Sequence, residues 1–448
     1  MKFKTHIWFL LLIIITASIR LSLWNVNKSY WWDEAVYLGL GKNLAEGEGY
    51  KINVGDEKFR PPLLPFIISL FIKNGEWSAR LISPIFGIIS VFVTYLLAKK
   101  IYDKKTALIS AFIVSSTSLY IFFGQKILTE TLSLTLFTAT LYFFHMSFKE
   151  KRYLMLTGIF FALSILIRYT NLLLFPIFII YFLYMKKFDI IRKKEFFFSI
   201  ILFIIVLSPW LYINTINYGD PLGALKDNLA HAPAEYSPGP IYYYILYSID
   251  IFGFSIIFII PFFILNKRKK SDILIIISIV LILLTFSIMG RKEIRYLLPY
   301  ISVFSTASAK GALDLMNRTK DKFIIPIILS LIIFSGFYTG IQKTLDESSS
   351  GIATVQAAEY IKKIPSDYIF AENYAVINYI SGKKVYIPPS DEEKFNKYAQ
   401  EYNIEYLVVD TWDKVSPEYV KHLAEKSELL ARFEEKTNGH AVFIYKIR

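Results

Sequence analysis

Long apolar stretches constrain this chain more than any other feature. They run for about 17 to 22 residues, the length at which a helix crosses a lipid bilayer. Only 19% of the 448 residues are charged and the mean hydropathy is +0.43, which sets the chain apart from soluble proteins of its size. The sequence therefore predicts an α-helical polytopic membrane protein with about eleven spans, near residues 7–24, 79–98, 105–122, 131–148, 153–168, 170–185, 195–213, 241–265, 272–289, 295–311 and 323–341.

The distribution of Lys and Arg predicts the orientation of these spans. With the N-terminus in the cytoplasm, the connections on that side are all rich in Lys and Arg, as cytoplasmic loops are; they are 99–105, 148–152, 185–194, 266–270 and 310–322. The same distribution accounts for the net charge of +13 without a nucleic-acid partner. The N-terminus resembles a signal peptide but has no small-residue cleavage site, so we expect it to remain as the first span.

Two regions on the predicted extracytoplasmic side lie outside the spans. The first is the loop 25–78, in which the apolar segment 61–72 is too short to cross a bilayer and is expected to lie in the interface. The second is the tail 346–448, where charge rises and residue patterns predict a small α/β domain after a membrane domain of residues 1–345. We expect strands at 368–373, 383–388 and 404–411, and helices at 355–364, 392–403 and 417–433.

The loop 25–78 carries two adjacent acids, Asp33 and Glu34, directly after Trp31 and Trp32. One interpretation is a solvated loop whose tryptophans anchor it at the membrane interface. However, apolar residues at helical spacing follow the acids, which indicates that the acids begin a helix on the membrane surface. The helix dipole favours carboxylates at that position. A carboxylate held there in a partly dry cleft can accept the proton of an attacking hydroxyl.

A third acid, Glu130, is predicted at the start of the fourth span, on the same side of the membrane as Asp33. In the simpler interpretation, Thr129 caps this helix and Glu130 only complements the helix dipole. Together with Asp33, Glu130 instead becomes a second acid that converges on one site.

Basic residues also occur on the side that otherwise avoids them. The loop 290–296 contains four charged residues, and isolated arginines occur in three other places; in chain order they are Arg60, Arg80, Arg168, Arg291, Lys292, Glu293 and Arg295. Each basic side chain can extend to the interface as an ordinary snorkelling residue. Several at one predicted depth indicate an anionic ligand, and a guanidinium group matches the geometry of phosphate. The sequence thus predicts one cleft that binds a lipid phosphate and activates a hydroxyl.

The first third of the chain resembles the GT-C membrane glycosyltransferases, especially the protein O-mannosyltransferases and the lipid A aminoarabinose transferases. Order and spacing match in the segments WWDEAVYLGLGKNLAEG, FRPPLLPFIISLF, GEWSARLISPIFG and KILTETLSLTLFTATLYFF. The segment RKEIRYLLP is similar to the His-Lys-Glu-x-Arg-Phe signature of dolichol-phosphate-mannose transferases, with Arg291 in place of His and Tyr296 in place of Phe. The sequence lacks the Trp-Trp-Asp-Tyr-Gly signature of oligosaccharyltransferases.

The resemblance implies a polyprenyl-phosphate or dolichyl-phosphate sugar as donor and a single-displacement, inverting transfer to a hydroxyl of a lipid or protein. Asp33 would be the general base, Glu34 would orient it or pair with Arg80, and Glu130 would line the same pocket. The basic residues would hold the donor phosphate and stabilise it as it leaves; they are Arg295, Lys292, Arg168 and Arg60.

No cofactor is predicted. Asp33, Glu34 and Glu130 offer oxygen ligands for one Mg²⁺ or Mn²⁺, with His231 as a candidate extra ligand, but GT-C members differ in metal use and we predict no obligatory metal. The chain has no cysteine, which excludes disulfides and thiolate metal sites. The Pro- and Gly-containing loop 214–240 is either a plain connection or a segment that closes over the acceptor.

A second class of function stays open on the sequence alone: a transporter or flippase for a lipid-linked glycan. Such proteins carry polar groups in mid-span and broken helices near the bilayer centre. The predicted spans are nearly free of internal acids and their charges collect at one boundary. This pattern favours an interfacial enzyme over alternating access. The resemblance to the GT-C family implies that this enzyme is a glycosyltransferase of the hexosyltransferase type.

Overall fold

The structure is a computed structural model that describes residues 2–53, 55–56, 59–231, 239–265, 269–412, 417–436 and 438–447. Its helices are α1 (Lys2–Ser22), α2 (Trp32–Glu46), α3 (Leu63–Phe71), α4 (Glu76–Arg80), α5 (Ile82–Ile101), α6 (Lys104–Ser116), α7 (Ser118–Phe123), α8 (Glu130–Ser147), α9 (Tyr153–Ile167), α10 (Leu174–Met185), α11 (Lys194–Tyr218), α12 (Gly223–His231), α13 (Tyr243–Leu246), α14 (Ser248–Phe252), α15 (Ile259–Leu265), α16 (Asp272–Ile288), α17 (Ile301–Arg318), α18 (Ile324–Asp346), α19 (Ile352–Ile361), α20 (Tyr374–Ser381), α21 (Glu392–Glu401) and α22 (Glu418–Lys426).

Short 3₁₀ segments and strands complete the secondary structure of the described residues. The 3₁₀ segments are Ile72–Asn74, Tyr169–Leu173, Phe188–Arg192, Phe254–Phe258 and Ile294–Tyr300. The strands are β1 (Lys51–Ile52), β2 (Gly55–Asp56), β3 (Tyr368–Ala371), β4 (Lys384–Tyr386), β5 (Tyr406–Asp410), β6 (Glu428–Glu434) and β7 (Ala441–Lys446).

The chain divides into two compact units. The first unit comprises Met1–Trp24, Lys58–Leu64 and Arg80–Thr344, and the second comprises Asn25–Glu57, Pro65–Ala79 and Leu345–Arg448. Asp33 and Glu34 therefore belong to the second unit, whereas Glu130 and the basic residues of the predicted cleft belong to the first. The predicted domains 1–345 and 346–448 stay a prediction.

Several helices have the length and composition of membrane spans. In the part of the chain that the structure describes, four helical stretches are long and apolar enough to cross a bilayer: Thr5–Ser22, Glu76–Ile101, Lys194–Tyr218 and Ile324–Asp346. Shorter apolar helices occupy further predicted spans, among them Tyr153–Ile167, Tyr169–Met185 and Asp272–Ile288. The helical, apolar character of the chain agrees with the sequence, while the number of spans stays a prediction.

Some of the predicted spans are interrupted. A continuous helix over 241–265 is wrong, because that stretch forms α13, α14, a 3₁₀ segment and α15. Gly253 ends α14 with φ 70° and ψ 178°, a backbone conformation that is essentially restricted to glycine. The span 105–122 is likewise divided into α6 and α7 at Thr117, whose backbone is extended. Apolar composition predicts where the chain enters a membrane, but single residues decide where a helix breaks.

The C-terminal part of the second unit is built on a five-stranded mixed sheet in the order β4-β3-β5-β7-β6. β3 is parallel to β4 and β5, and β7 is antiparallel to β5 and β6. Neighbouring residues along β3 and β5 belong to two different buried clusters, with Ile369 and Val408 in one and Phe370 and Leu407 in the other. Because successive side chains point to opposite faces of a strand, this sheet is packed on both faces.

The three predicted strands of this region are confirmed as β3, β4 and β5, and the first two predicted helices as α19 and α21. The predicted helix 417–433 is wrong beyond α22, because β6 follows at once, and β7 was not predicted. The apolar residues of the β6 segment also suit one face of a helix. The segment forms a strand because it pairs with β7, and sequence periodicity does not predict that pairing.

The helix α2 is part of the second unit's core. Ala35, Val36 and Leu40 of α2 pack with Ala375 and Val376 of α20 in one buried cluster. The helix that carries the two acids is therefore fixed against residues from the C-terminal part of the chain.

Candidate active site

Glu130 and Arg168 form an ion pair inside the first unit. Glu130 is the first residue of α8, and Arg168 lies between α9 and the 3₁₀ segment Tyr169–Leu173, where the backbone is extended. The Arg168 Nη1 atom lies 3.3 Å from Oε1 of Glu130, with side-chain exposures of 15% and 3%. The other oxygen of Glu130, Oε2, is buried and has no hydrogen-bond partner among the described residues. One carboxylate oxygen thus neutralises Arg168 and the other is left to accept a hydrogen bond.

Thr129 does not cap α8, so that part of the simpler interpretation is wrong. Its hydroxyl instead accepts a hydrogen bond from Nη1 of Arg168 at 3.2 Å. The residue before the helix is therefore used to orient the arginine rather than to satisfy the backbone of the helix.

A second charged cluster surrounds Glu293 in the connection between α16 and the 3₁₀ segment Ile294–Tyr300. Its Oε2 accepts a hydrogen bond from Nε of Arg295 at 2.6 Å, and its Oε1 lies 2.6 Å from Nη2 of Arg291. The Tyr296 hydroxyl also donates to Oε1 of Glu293, at 2.9 Å. Burial alone would raise the pKa of Glu293, but Arg295 and Arg291 hold that pKa below its usual range. Glu293 is therefore a fixed anion that orients two arginines.

Tyr296 joins the two clusters. The guanidinium carbon of Arg168 lies 5.4 Å from the centre of the Tyr296 ring, within the range of a cation–π contact. The result is one continuous network, with three guanidinium groups against two carboxylates: Glu130, Arg168, Tyr296, Glu293, Arg291 and Arg295. The network presents guanidinium groups, whose planar set of donors matches the geometry of phosphate. The sequence singled out the charged members but missed Tyr296 as the link between them.

The remaining basic residues of the prediction also lie in the first unit. Lys292 donates from Nζ to the carbonyl oxygen of Met289 at 2.6 Å, so the backbone holds its ammonium group. Arg60 and Arg80 are buried, with 9% and 6% of their surface exposed. Buried guanidinium groups are costly unless something neutralises them. The roles predicted for Lys292, Arg60 and Arg80, like those of the network residues, remain predictions.

In the second unit, the acids begin α2 as the sequence indicates. Glu34 is fully buried and its Oε2 accepts a hydrogen bond from the backbone N–H of Trp31 at 3.0 Å, which satisfies one of the free donors at the helix start. Asp33 is only partly buried. The two adjacent acids therefore have different surroundings: Glu34 fixes the start of the helix, and Asp33 retains access to solvent or a ligand.

A carboxylate and two phenols meet within the second unit, and one of the phenols, Tyr30, lies just before α2. The carboxylate of Glu76 accepts hydrogen bonds from the Tyr30 hydroxyl at 2.9 Å and from the Tyr379 hydroxyl at 2.6 Å. The rings of Tyr30 and Tyr379 meet edge to face with centroids 5.5 Å apart. These contacts tie the segment before α2 to α20.

Metal ligands do not cluster in the described part of the chain. Among those residues, no group of three or more His, Cys, Asp or Glu side chains could hold a metal ion. His231 ends α12, and its side chain and most of the residues that follow in the predicted loop 214–240 lie outside the described residues.

The sequence is similar to one protein family and to one bacterial protein. Residues 59–213 match the family model of dolichyl-phosphate-mannose-protein mannosyltransferases. An uncharacterised protein of Aquifex aeolicus is 24% identical over 327 residues, which cover 69% of this chain and 64% of that protein. The match therefore spans somewhat less than two thirds of that relative.

Solved structures with the same fold are more informative. The crystal structure of ArnT from Cupriavidus metallidurans bound to undecaprenyl phosphate covers 98% of each chain with a TM-score of 0.75 at 13% identity. The oligosaccharyltransferase of Archaeoglobus fulgidus matches over 97% of this chain and 73% of its own, with a TM-score of 0.65 at 13% identity. These likenesses confirm the resemblance found in the sequence: the chain has the fold of the GT-C membrane glycosyltransferases.

Proposed function

We propose that the protein is an inverting membrane glycosyltransferase that moves a sugar from a polyprenyl-phosphate or dolichyl-phosphate donor to an acceptor hydroxyl at the extracytoplasmic face. The observation that carries the proposal is the network of three arginines and two carboxylates in the first unit. Its guanidinium groups suit the phosphate of such a donor. The ArnT structure with undecaprenyl phosphate supports the same ligand class.

The network residues would act on the phosphate in different ways. Arg295 and Arg168 would bind the phosphate oxygens, with Lys292 and Arg60 adding charge. Glu293 and Glu130 would hold the arginines in place, since each carboxylate contacts a guanidinium group. Positioned cations stabilise the charge that builds up on the phosphate as the bond to the sugar breaks.

Asp33 would be the general base. Glu34 is fully buried whereas Asp33 is partly exposed, so Asp33 is the acid of the pair that an acceptor hydroxyl can reach. Asp33 takes the proton of the acceptor hydroxyl while the hydroxyl oxygen forms a bond to the anomeric carbon. The bond from that carbon to the phosphate oxygen breaks, the configuration inverts, and the lipid phosphate monoester leaves with the bonding electron pair.

The experiment compares Asp33→Asn with Glu46→Gln, a matched loss of charge at the exposed end of the same helix α2. Purified protein in nanodiscs receives a panel of radiolabelled undecaprenyl-phosphate sugars with membrane lipids as acceptors. Binding of undecaprenyl phosphate is measured separately. We expect Asp33→Asn to lower turnover by about 10³-fold or more, with undecaprenyl phosphate binding unchanged, because only the proton acceptor is lost.

Arg295→Gln should instead weaken binding of undecaprenyl phosphate, because it removes a group that binds the phosphate. Near-normal turnover in Asp33→Asn would refute the role of Asp33 as base. Undecaprenyl phosphate binding that is unchanged in Arg295→Gln would refute the phosphate site.

A further inference from the structure

The segment that leads into Asp33 is held from the C-terminal part of the second unit. The backbone N–H of Lys28 donates to the carbonyl oxygen of Ser348 at 3.0 Å. The hydroxyl of the next residue, Ser29, donates to the carbonyl oxygen of Ser350. A connection between two helices is ordinarily more mobile than the helices themselves. These bonds therefore fix a stretch of chain that would otherwise move.

The residue that follows, Tyr30, is fixed through a shared carboxylate. Glu76 accepts hydrogen bonds from the hydroxyls of Tyr30 and Tyr379, at 2.9 Å and 2.6 Å. Hydrogen bonds to a carboxylate are stronger than those between neutral groups. Glu76 begins α4 and Tyr379 lies on α20, so three separate segments of the second unit meet at one side chain.

Further contacts lie on both sides of Asp33 within α2. Trp32, directly before it, meets the ring of Tyr374 edge to face, with centroids 5.4 Å apart and an angle of 84°. Glu34, directly after it, is fully buried and accepts a hydrogen bond from the backbone of Trp31. Asp33 itself is only partly buried. Its carboxylate is therefore accessible while its neighbours in the chain are anchored.

We propose that the C-terminal part of the second unit positions the general base. Tyr379 and Glu76 are positioning residues that hold Tyr30 and, with it, the start of α2. In this way they fix the carboxylate of Asp33. The inference rests on the proposed role of Asp33 as base, and it gives residues 345–448 a task in the transfer step.

Proton transfer requires this precision. A base accepts a proton over a heavy-atom distance of about 2.6 to 3.2 Å. A misplacement of about 1 Å can lower a rate by about 10²-fold. The helix α2 has 15 residues, a length at which an isolated helix is only marginally stable in water. Contacts from outside the helix are therefore needed to keep Asp33 in place.

The experiment uses the full chain in nanodiscs, with the radiolabelled donor that the native chain uses. Tyr379→Phe removes one hydroxyl and should lower turnover by about tenfold; Glu76→Ala removes the shared acceptor and should lower it by about 10²-fold. Undecaprenyl phosphate binding should stay unchanged, because the residues proposed to bind the phosphate belong to the first unit. Tyr398→Phe, which changes a partly buried phenol on α21 of the second unit, is the matched control and should alter neither quantity.

A second comparison distinguishes positioning from a general loss of structure. In the Asp33→Asn background, Tyr379→Phe and Glu76→Ala should not lower the residual transfer further, because both act through the base. A further loss of the same size in that background would overturn the proposal. Near-normal turnover in both single variants, or a matching loss of undecaprenyl phosphate binding, would overturn it as well.

Failure of this inference differs from failure of the proposed function. Near-normal turnover in Asp33→Asn refutes the base itself. Loss of turnover in Asp33→Asn together with normal turnover in Tyr379→Phe and Glu76→Ala refutes only the positioning role. Hydrogen–deuterium exchange of β3 and β5 identifies a variant that does not fold. If Glu76→Ala is such a variant, Tyr379→Phe decides, because it keeps the ring.

Discussion

Two clusters of buried charge in this protein differ in how completely they are closed. In the second unit, the ring of His440 lies between two carboxylates, with Nε2 2.8 Å from Oδ1 of Asp410 and Nδ1 2.8 Å from Oε1 of Glu435. The exposures of these three side chains are 0%, 5% and 3%. In the first unit, the arginine network is more open, since the Glu293 and Arg291 side chains are 27% and 35% exposed.

The partners around each cluster explain the contrast. Around His440, the second carboxylate oxygens are also bonded: Thr354 donates to Asp410 and Asn438 donates to Glu435. In the arginine network, Oε2 of Glu130 is buried without a hydrogen-bond partner in the described part of the chain. A cluster whose groups are all satisfied stabilises a fold, whereas one that keeps a buried acceptor without a partner is suited to a ligand. The contrast can be tested by removing one partner from each.

The largest effect is expected from Arg168→Gln. It leaves Glu130 buried without its cation, so the free energy of unfolding of the first unit should fall by about 3 to 5 kcal/mol. Denaturant-dependent unfolding of the full chain in detergent measures this loss. Arg318→Gln, an exposed arginine at the end of α17, is the control and should change stability little.

The double variant Arg168→Gln, Glu130→Gln separates stability from function. It should recover most of the lost stability, because no unpaired charge stays buried, while undecaprenyl phosphate binding remains weak. Recovery of both would show that Arg168 has only a structural role.

A smaller loss is expected from His440→Gln. The change leaves Asp410 and Glu435 facing a neutral amide, which should cost about 2 to 3 kcal/mol. Hydrogen–deuterium exchange of β5, β7 and α19 in the full chain reports this local loss. His422→Gln on α22 is the matched control, because that side chain is 67% exposed. Equal protection in the two variants would contradict a stabilising role for His440.

The same cluster predicts a pH dependence. Burial alone would lower the pKa of His440, but its hydrogen bonds with Asp410 and Glu435 raise that pKa above its ordinary value. The contribution of the imidazolium is therefore complete below about pH 6.5, the ordinary pKa, and is lost as pH rises through the raised value. Protection of β5 and β7 should decline over that window in the native chain. A decline of the same size in His440→Gln would show that another group titrates.

The smallest effect is expected from Trp412→Leu. The Trp412 ring stacks on His440 with centroids 3.7 Å apart and an angle of 12°, but Trp412 is 47% exposed. Losing this stacked contact should cost about 0.5 to 1 kcal/mol. In a double-mutant cycle with His440→Gln, the two losses should be less than additive. Strict additivity would mean that the ring does not stabilise the imidazolium.

Parts of the candidate site followed from the sequence. The start of α2 at the acids and the start of α8 at Glu130 were predictable, because a carboxylate before a helical apolar pattern marks a helix N-terminus. The basic residues were found because they violate the charge distribution of membrane proteins. Their mutual contacts were not predictable: Arg168 meets Tyr296 only because distant segments fold together.

The second unit shows the same limit. The His440 cluster joins Asp410 of β5, Glu435 after β6 and His440 just before β7, and nothing in their spacing indicates a contact. The helix predicted over 417–433 failed for a related reason, because β6 exists through its pairing with β7.

By itself, the sequence determined that this is a helical membrane protein whose candidate acids and cations lie at or beyond the ends of its apolar stretches, since hydrophobicity and helix-end preferences are local properties of the chain. Only the tertiary structure decided which carboxylate contacts which guanidinium group and which acid caps α2. Those outcomes depend on burial and on distances of a few ångströms between segments far apart in sequence, and such distances exist only after the chain has packed.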